Sequence, residues 1–297
     1  MEDGAAIQPG YPAASVSSPA TRASGSCQSC GSQLPGTGTA AVQNQHVLAF
    51  GKIRLGYPSE SIEKQFAHVI GRQESRGKTD LQIVQDVLAT PGNRYLARLA
   101  CWTLDIMDAP AYVLRPKDPS DYNLLIDALR PAATSSLDVV IGEIAGLASP
   151  AECNNQQLPR VLFETAYIWD KEQLPARMPK PEKIQPQEFE SMVKDVFDRG
   201  LQWNKGIGLD RAKNFVFLFY DKIYGLAAQK MADGYSLRSV ATQPSPASGP
   251  HQLATVCLEF RHRQTDVTEL YCCTVNCDGV FPYLVDPLSP TYGSSLG

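Results

Sequence analysis

Cys27 and Cys30 stand two residues apart in Ser26-Cys27-Gln28-Ser29-Cys30-Gly31, the spacing at which two thiolates turn toward one cation. Zinc is the usual occupant of such a turn, and a structural zinc needs two ligands more. No second pair follows at finger or ribbon spacing. The missing ligands must then come from the folded body or from a second chain, the latter implying a homodimer. Cys153, in the polar loop Ser149-Pro-Ala-Glu-Cys-Asn-Asn155, is the expected third ligand, ahead of His262, Cys101, Cys257, Cys272, Cys273 and Cys277. The expected cofactor is therefore zinc, in a structural role. A redox dithiol would need the pair at a helix start after a strand, where the dipole lowers the thiolate pKa. Gly, Ser and Pro surround it instead.

Nucleophilic catalysis needs a positioned base, and the chain has four histidines, His46, His68, His251 and His262. Cys153 with His262 is the pair left open, in an enzyme built on Cys153 or on an open zinc site, with no nucleophile-elbow or papain-like signature around it. His68, beside Phe66 and Val69, reads as a surface histidine. Gly206-Ile-Gly208 lacks a third glycine and a preceding strand, so it reads as a helix–helix connection rather than a phosphate loop. Glu164, Asp170 and Glu172 read as solvated carboxylates, because nearness in sequence does not set the separation that acid–base chemistry needs. An unpaired strand in a C-terminal hairpin offers a non-catalytic role, accepting an extended peptide by β-augmentation.

Composition narrows the classes. The 297 residues are 43% hydrophobic and 20% charged, ordinary globular usage, with length for one large or two modest cores. A net charge of −4 has the wrong sign for a chain that lives on phosphate backbones, so nucleic acid is not an expected partner. No run approaches the roughly 18 apolar residues of a membrane span, and the start Met-Glu-Asp-Gly-Ala-Ala lacks a signal-peptide pattern. A cytoplasmic location is expected, where cysteines stay unbridged. Cys101, in Leu-Ala-Cys-Trp-Thr-Leu, then reads as a small buried hydrophobe.

An α+β body must position these groups. Residues 1–45 are rich in Gly, Ala, Ser, Pro, Thr and Gln without apolar period, an expected disordered arm carrying the Cys-x-x-Cys knuckle. A first mixed strand and helix module is expected over 46–155. It opens with a strand at His46–Arg54, then a helix headed by Pro58 and Ser59 whose stripe is Ile62, Phe66, Val69 and Ile70. A second helix follows from the cap Thr79 to the Pro91-Gly92 break, and a third from Asn93 through Trp102 to Ile106. A short strand at Ala111–Leu114, a helix opened by Asp118-Pro-Ser-Asp121 and an interior strand at Leu137–Gly142 complete it. Glu143–Pro159 reads as the seam. The second module, 156–297, should hold a proline-rich loop at Pro175–Pro186, then a helical pair over Pro186–Trp203 and Leu209–Met231. A C-terminal antiparallel hairpin or meander then follows, with strands at Leu253–His262, Val267–Val275 and Val280–Val285.

Several phrases together carry a resemblance. They are Tyr57-Pro-Ser-Glu-Ser-Ile-Glu-Lys-Gln-Phe-Ala67 with Gly71-Arg72, Tyr95-Leu-Ala-Arg98 with Cys101-Trp102, and Leu114-Arg-Pro-Lys-Asp-Pro-Ser-Asp-Tyr122. Val140-Ile-Gly142, Glu152-Cys-Asn154, Tyr235-Ser-Leu237 and Thr265-Asp-Val-Thr-Glu269 with Phe281-Pro-Tyr-Leu-Val285 follow in order. In this combination the chain resembles the C-terminal domain of the cyanobactin maturation proteases of the PatA and PatG type, a domain without an established activity. The resemblance implies a place in the making of ribosomally synthesised, post-translationally modified peptides, with a precursor peptide or a pathway enzyme as partner. No protease domain is recognised beside it, so proteolysis and macrocyclisation are not carried over, and a non-catalytic accessory module is the expected role.

Overall fold

His46-Val-Leu-Ala-Phe-Gly51 starts a strand that two partners share. In the computed structural model, which describes residues 45–73, 76–130, 136–178, 184–201 and 205–291, β1 (His46–Gly56) pairs antiparallel with β4 (Ser136–Leu147) through Gly51 and with β2 (Cys101–Ile106) from Lys52 onward. Gly51 sits at this corner because a Cβ there would strike the Asp105 carbonyl. β3 (Ala109–Pro116) pairs antiparallel with β2 and parallel with β5 (Pro159–Asp170), which returns antiparallel to β4. The order β1-β2-β3-β5-β4 closes a barrel. One parallel closure and a helix between β3 and β4 make it a Greek-key barrel of the OB type.

Helices plug the barrel. Ser59 caps α1 (Glu60–Ile70) by accepting from the Ile62 N–H, and Gly71 ends it. Thr79 caps α2 (Asp80–Ala89) in a reciprocal box with Gln82. α3 is only Tyr95–Leu99, and α4 (Tyr122–Ala128) follows β3. Phe66, Val87, Leu88, Leu96 and Leu125 meet Trp102, Leu104, Leu114, Val140 and Phe163 in one core. The buried Trp102 indole donates to the Ala97 carbonyl at 2.8 Å.

The second module stacks α5 (Pro186–Gly200), α6 (Leu209–Phe219) and α7 (Lys222–Ala232) on an open antiparallel sheet. Its order is β6 (Tyr235–Pro244), β7 (Leu253–His262), β8 (Thr268–Asn276), β9 (Tyr283–Thr291). These helices also pack on the barrel's outer wall. Leu48, Val139, Ile141 and Trp169 share a core with Val193, Val216, Phe217, Tyr224, Val256 and Val275, and Trp169 stacks on Phe197 with ring centroids 4.6 Å apart.

A short connection pins the two modules. Between α5 and α6, as expected of Gly206-Ile-Gly208, the chain turns; it also reaches the part of β1 that β2 leaves bare. Leu48 N–H donates to the Gly206 carbonyl at 2.9 Å, Ile207 bridges to Val47, and Ile207 packs into the barrel core. Tyr112 Oη donates to the Lys205 carbonyl at 2.7 Å and Asn214 donates to the Leu48 carbonyl at 2.7 Å. Gly206 is required here: its φ is +70°, and a Cβ would meet the Leu48 carbonyl.

Several expectations are corrected. The third helix stops at Leu99, and Cys101–Ile106 is a strand buried on both faces, which erases the alternation that would have marked it. The long helix over Leu209–Met231 breaks at Tyr220-Asp221 into α6 and α7. β5 and β6 have no counterpart in the expected elements. The range Glu143–Pro159, where the seam was expected, holds the end of β4, its connection to β5 and the first residue of β5, two strands of one barrel. Four cysteines expected to be unbridged form disulfides: Cys101 to Cys153, and Cys257 to Cys272 directly across β7 and β8, with Cα atoms 5.0 and 4.1 Å apart. Spacing along the chain could not show either, because strand register brings these residues together.

Candidate functional site

Cys27, Cys30 and the expected arm over residues 1–45 lie outside the described residues, save Gln45. Cys153, expected as a third thiolate, is buried against Val113 and Ala148 with its sulfur bonded to Cys101, and a disulfide sulfur has no thiolate to offer a cation or a substrate. The pairing of Cys153 with His262 is not formed. His262 ends β7, where its Nδ1 accepts from the Gln264 and Thr265 N–H groups at 3.3 and 3.2 Å, and its ring meets Tyr235 edge-on. It holds a turn.

The remaining chemistry-bearing groups are buried, paired or dispersed over the surface. Cys273 and Cys277 are free and buried, and burial pushes their thiols up to about 12 and about 11, out of the reactive range. His251 Nδ1 meets the Asp278 carboxylate at 2.7 Å on an exposed loop. His46 is half-buried, and burial first, then the Arg211 charge, lower its pKa. His68 is exposed. Glu164 pairs with Lys117, Asp170 accepts from the Glu172 N–H, and Glu172 pairs with Lys194. Among the described residues no three His, Cys, Asp or Glu side chains gather where a metal ion could sit.

A groove lies instead between α5, α7 and the start of β6, with a volume of about 360 Å³. Its wall and floor are apolar: Met192 and Val196 from α5, Ala227 and Met231 from α7, Leu237 from β6 and Phe260 from β7. Glu188, Ser191 and Asp195 line the α5 rim, at i, i+3 and i+7, so they share one helix face. Ser236 and Arg263 line the other side. Among the described residues β6 bonds to β7 alone, so its second edge is open beside this groove. Backbone donors and acceptors on such an edge can pair with an added strand.

Tyr235, at the groove's end, is held from behind. Lys230 on α7 lies 5.1 Å from the ring centres of both Tyr235 and Tyr271. It pairs with Glu269 at 2.6 Å, and Tyr271 Oη donates to the same carboxylate at 2.9 Å. The Lys230 hydrogen bond, foremost, draws the Glu269 pKa down to about 2, and Lys230 is raised. A charge held between two aromatic faces and bonded to a carboxylate fixes both rings.

The sequence signalled part of this site. The helix α5 itself was expected, but Glu188, Ser191 and Asp195 were not named; their i, i+3, i+7 spacing is the signal that could have marked the rim, and Tyr235-Ser-Leu237 stood among the phrases of the resemblance. That β6 is an edge, and that Met231 and Arg263 converge on it, follows only from the fold.

The profile described as PatG Domain matches residues 46–152, and that described as PatG C-terminal matches residues 183–291. No curated protein matches the chain. A solved structure described as "PatG Domain of Unknown Function" superposes with a TM-score of 0.68, at 18% identity, over 84% of this chain and 99% of its own. At that identity the likeness speaks for the fold.

Proposed function

From a chain that belongs to the PatG-type domain family, we propose an accessory module of cyanobactin-like peptide biosynthesis that is not itself a catalyst. It binds an extended segment of a precursor peptide along the open edge of β6. The observation that carries this reading is the coincidence of an unpaired strand edge with an apolar groove at its side. Main-chain pairing supplies affinity in such a mode, and alternate side chains entering a pocket supply selectivity. The bridged state of Cys153 weighs against the enzymatic alternative built on that sulfur.

Binding of a fluorescein-labelled precursor peptide, followed by anisotropy, tests the proposal. Ser191 and Ser236 are exposed on opposite sides of the groove, so Ser191→Trp and Ser236→Trp fill it without touching the core. Each is expected to weaken binding at least tenfold while the urea unfolding midpoint stays put. Unchanged affinity in both variants overturns the reading. Zinc on Cys27 and Cys30 is a separate proposal. Metal analysis of the purified chain and of its Cys27→Ser variant checks it, and equal zinc in both would end it.

A further inference from the structure

Resting on the groove reading above, we propose that the segment accepted by β6 carries an apolar side chain of leucine or methionine size with a Lys or Arg two residues away. The volume, about 360 Å³, is at the lower end for ligand pockets and suits one or two side chains. Two methionines, Met192 and Met231, line it, and their flexible thioethers adapt to unbranched and branched apolar partners alike.

The charges select what flanks the anchor. Ser191 leaves room on the α5 rim, and Glu188 and Asp195 stand about one helical turn to either side of it, roughly 5 Å along the axis. In an extended strand, residues two apart point to the same side about 6.7 Å from each other. A side chain that enters beside Ser191 therefore brings its i±2 neighbours opposite a carboxylate. Asp195 already pairs with Arg199 at 2.8 Å. Glu188 is exposed and has no ion pair among the described residues, so it is the carboxylate free to meet an incoming cation. Arg263, whose N–H bonds the Gly234 carbonyl at 3.0 Å, makes the Tyr235 end basic and repels a second cation there.

Two labelled heptapeptides test this by anisotropy: Ser-Thr-Lys-Thr-Leu-Thr-Ser and its counterpart with Glu in place of Lys. The lysine probe is expected to bind about fivefold tighter, the scale of one exposed ion pair, with the preference vanishing in 1 M salt. Glu188→Lys should invert the preference. If Ser191→Trp abolishes binding of both probes but Glu188→Lys leaves their ratio unchanged, the charge rule falls and the groove reading stands. If neither probe binds, or Ser191→Trp and Ser236→Trp both leave binding intact, the two fall together.

Discussion

The barrel and the four-stranded sheet treat their strand edges in opposite ways. Closure of β1-β2-β3-β5-β4 pairs each barrel strand on both sides, and the one stretch of β1 that β2 leaves is filled by Gly206 and Ile207 from the other module. The sheet keeps two edges. Both edge strands pair irregularly with their neighbours, β6 at Leu237–Ser239, but β9 also carries Pro287 and Pro290 in its interior, which lack an N–H; such an edge discourages added strands. β6 reaches Pro244 only at its last residue and faces the groove. Among the described residues the sheet thus leaves the edge of β6 unpaired beside the groove, the edge on which the proposed peptide binding rests, whereas the barrel leaves none.

Each region contains one disulfide, so the comparison can be broken from either side. Cys101–Cys153 spans 52 residues and ties the β4–β5 connection to β2, whereas Cys257–Cys272 spans 15. By chain entropy the first is worth roughly 4 kcal/mol and the second roughly 3. Paired Cys→Ser variants, unfolded in urea without reductant, should show the larger loss for the barrel. Equal losses, or the reverse, would mean the barrel does not depend on its covalent tie. Gly206→Ala comes next, at about 2–3 kcal/mol, from strain at positive φ and collision with the Leu48 carbonyl. Because Gly206 couples the regions, barrel and sheet signals should shift together; a shift confined to one would show that the pin matters to that module alone.

Legibility followed the same division. Ser59 and Thr79 announced α1 and α2 because capping is local, and β7 and β8 announced themselves by period two, since one face of each meets a core and the other does not. β2 and the middle of β4 are buried on both sides; β4 places Val140 in the barrel and Val139 and Ile141 against α5–α7. Such strands lose their alternation, and Leu-Ala-Cys-Trp-Thr-Leu fits a helix as well as a strand. The break at Tyr220 has neither Pro nor Gly. It is fixed by partners remote in sequence, among them the Leu288 N–H bonded to Tyr220 Oη at 3.2 Å. The groove was hidden for the same reason, assembled from four elements of which only α5 shows its face locally.

The sharpest remaining contrast is between two carboxylates and their response to pH. Asp138 is buried in the barrel, where it accepts from the Ile53 N–H at 2.7 Å; burial outweighs that bond and the nearby Lys52, and its pKa stands at about 6. The folded state thus holds its proton more tightly than the unfolded chain does, so this group's contribution is lost as pH rises from about 4 to 6. Glu269 in the sheet is the opposite case, drawn down to about 2 by Lys230 first. Its contribution is full above the ordinary glutamate range and is lost as pH falls toward 2. Asp138→Asn keeps the oxygen that Ile53 needs and should gain about 1–2 kcal/mol at pH 7, a gain that fades below pH 4. Glu269→Gln leaves Lys230 held between two rings without its carboxylate, so it should be less stable at pH 7, with the deficit shrinking as pH falls. Urea midpoints of both variants between pH 3 and 7 check the pair. Parallel curves would mean that the two regions do not differ in how they carry these carboxylates, while curves of opposite slope would assign the acid response to the sheet and the neutral-pH penalty to the barrel.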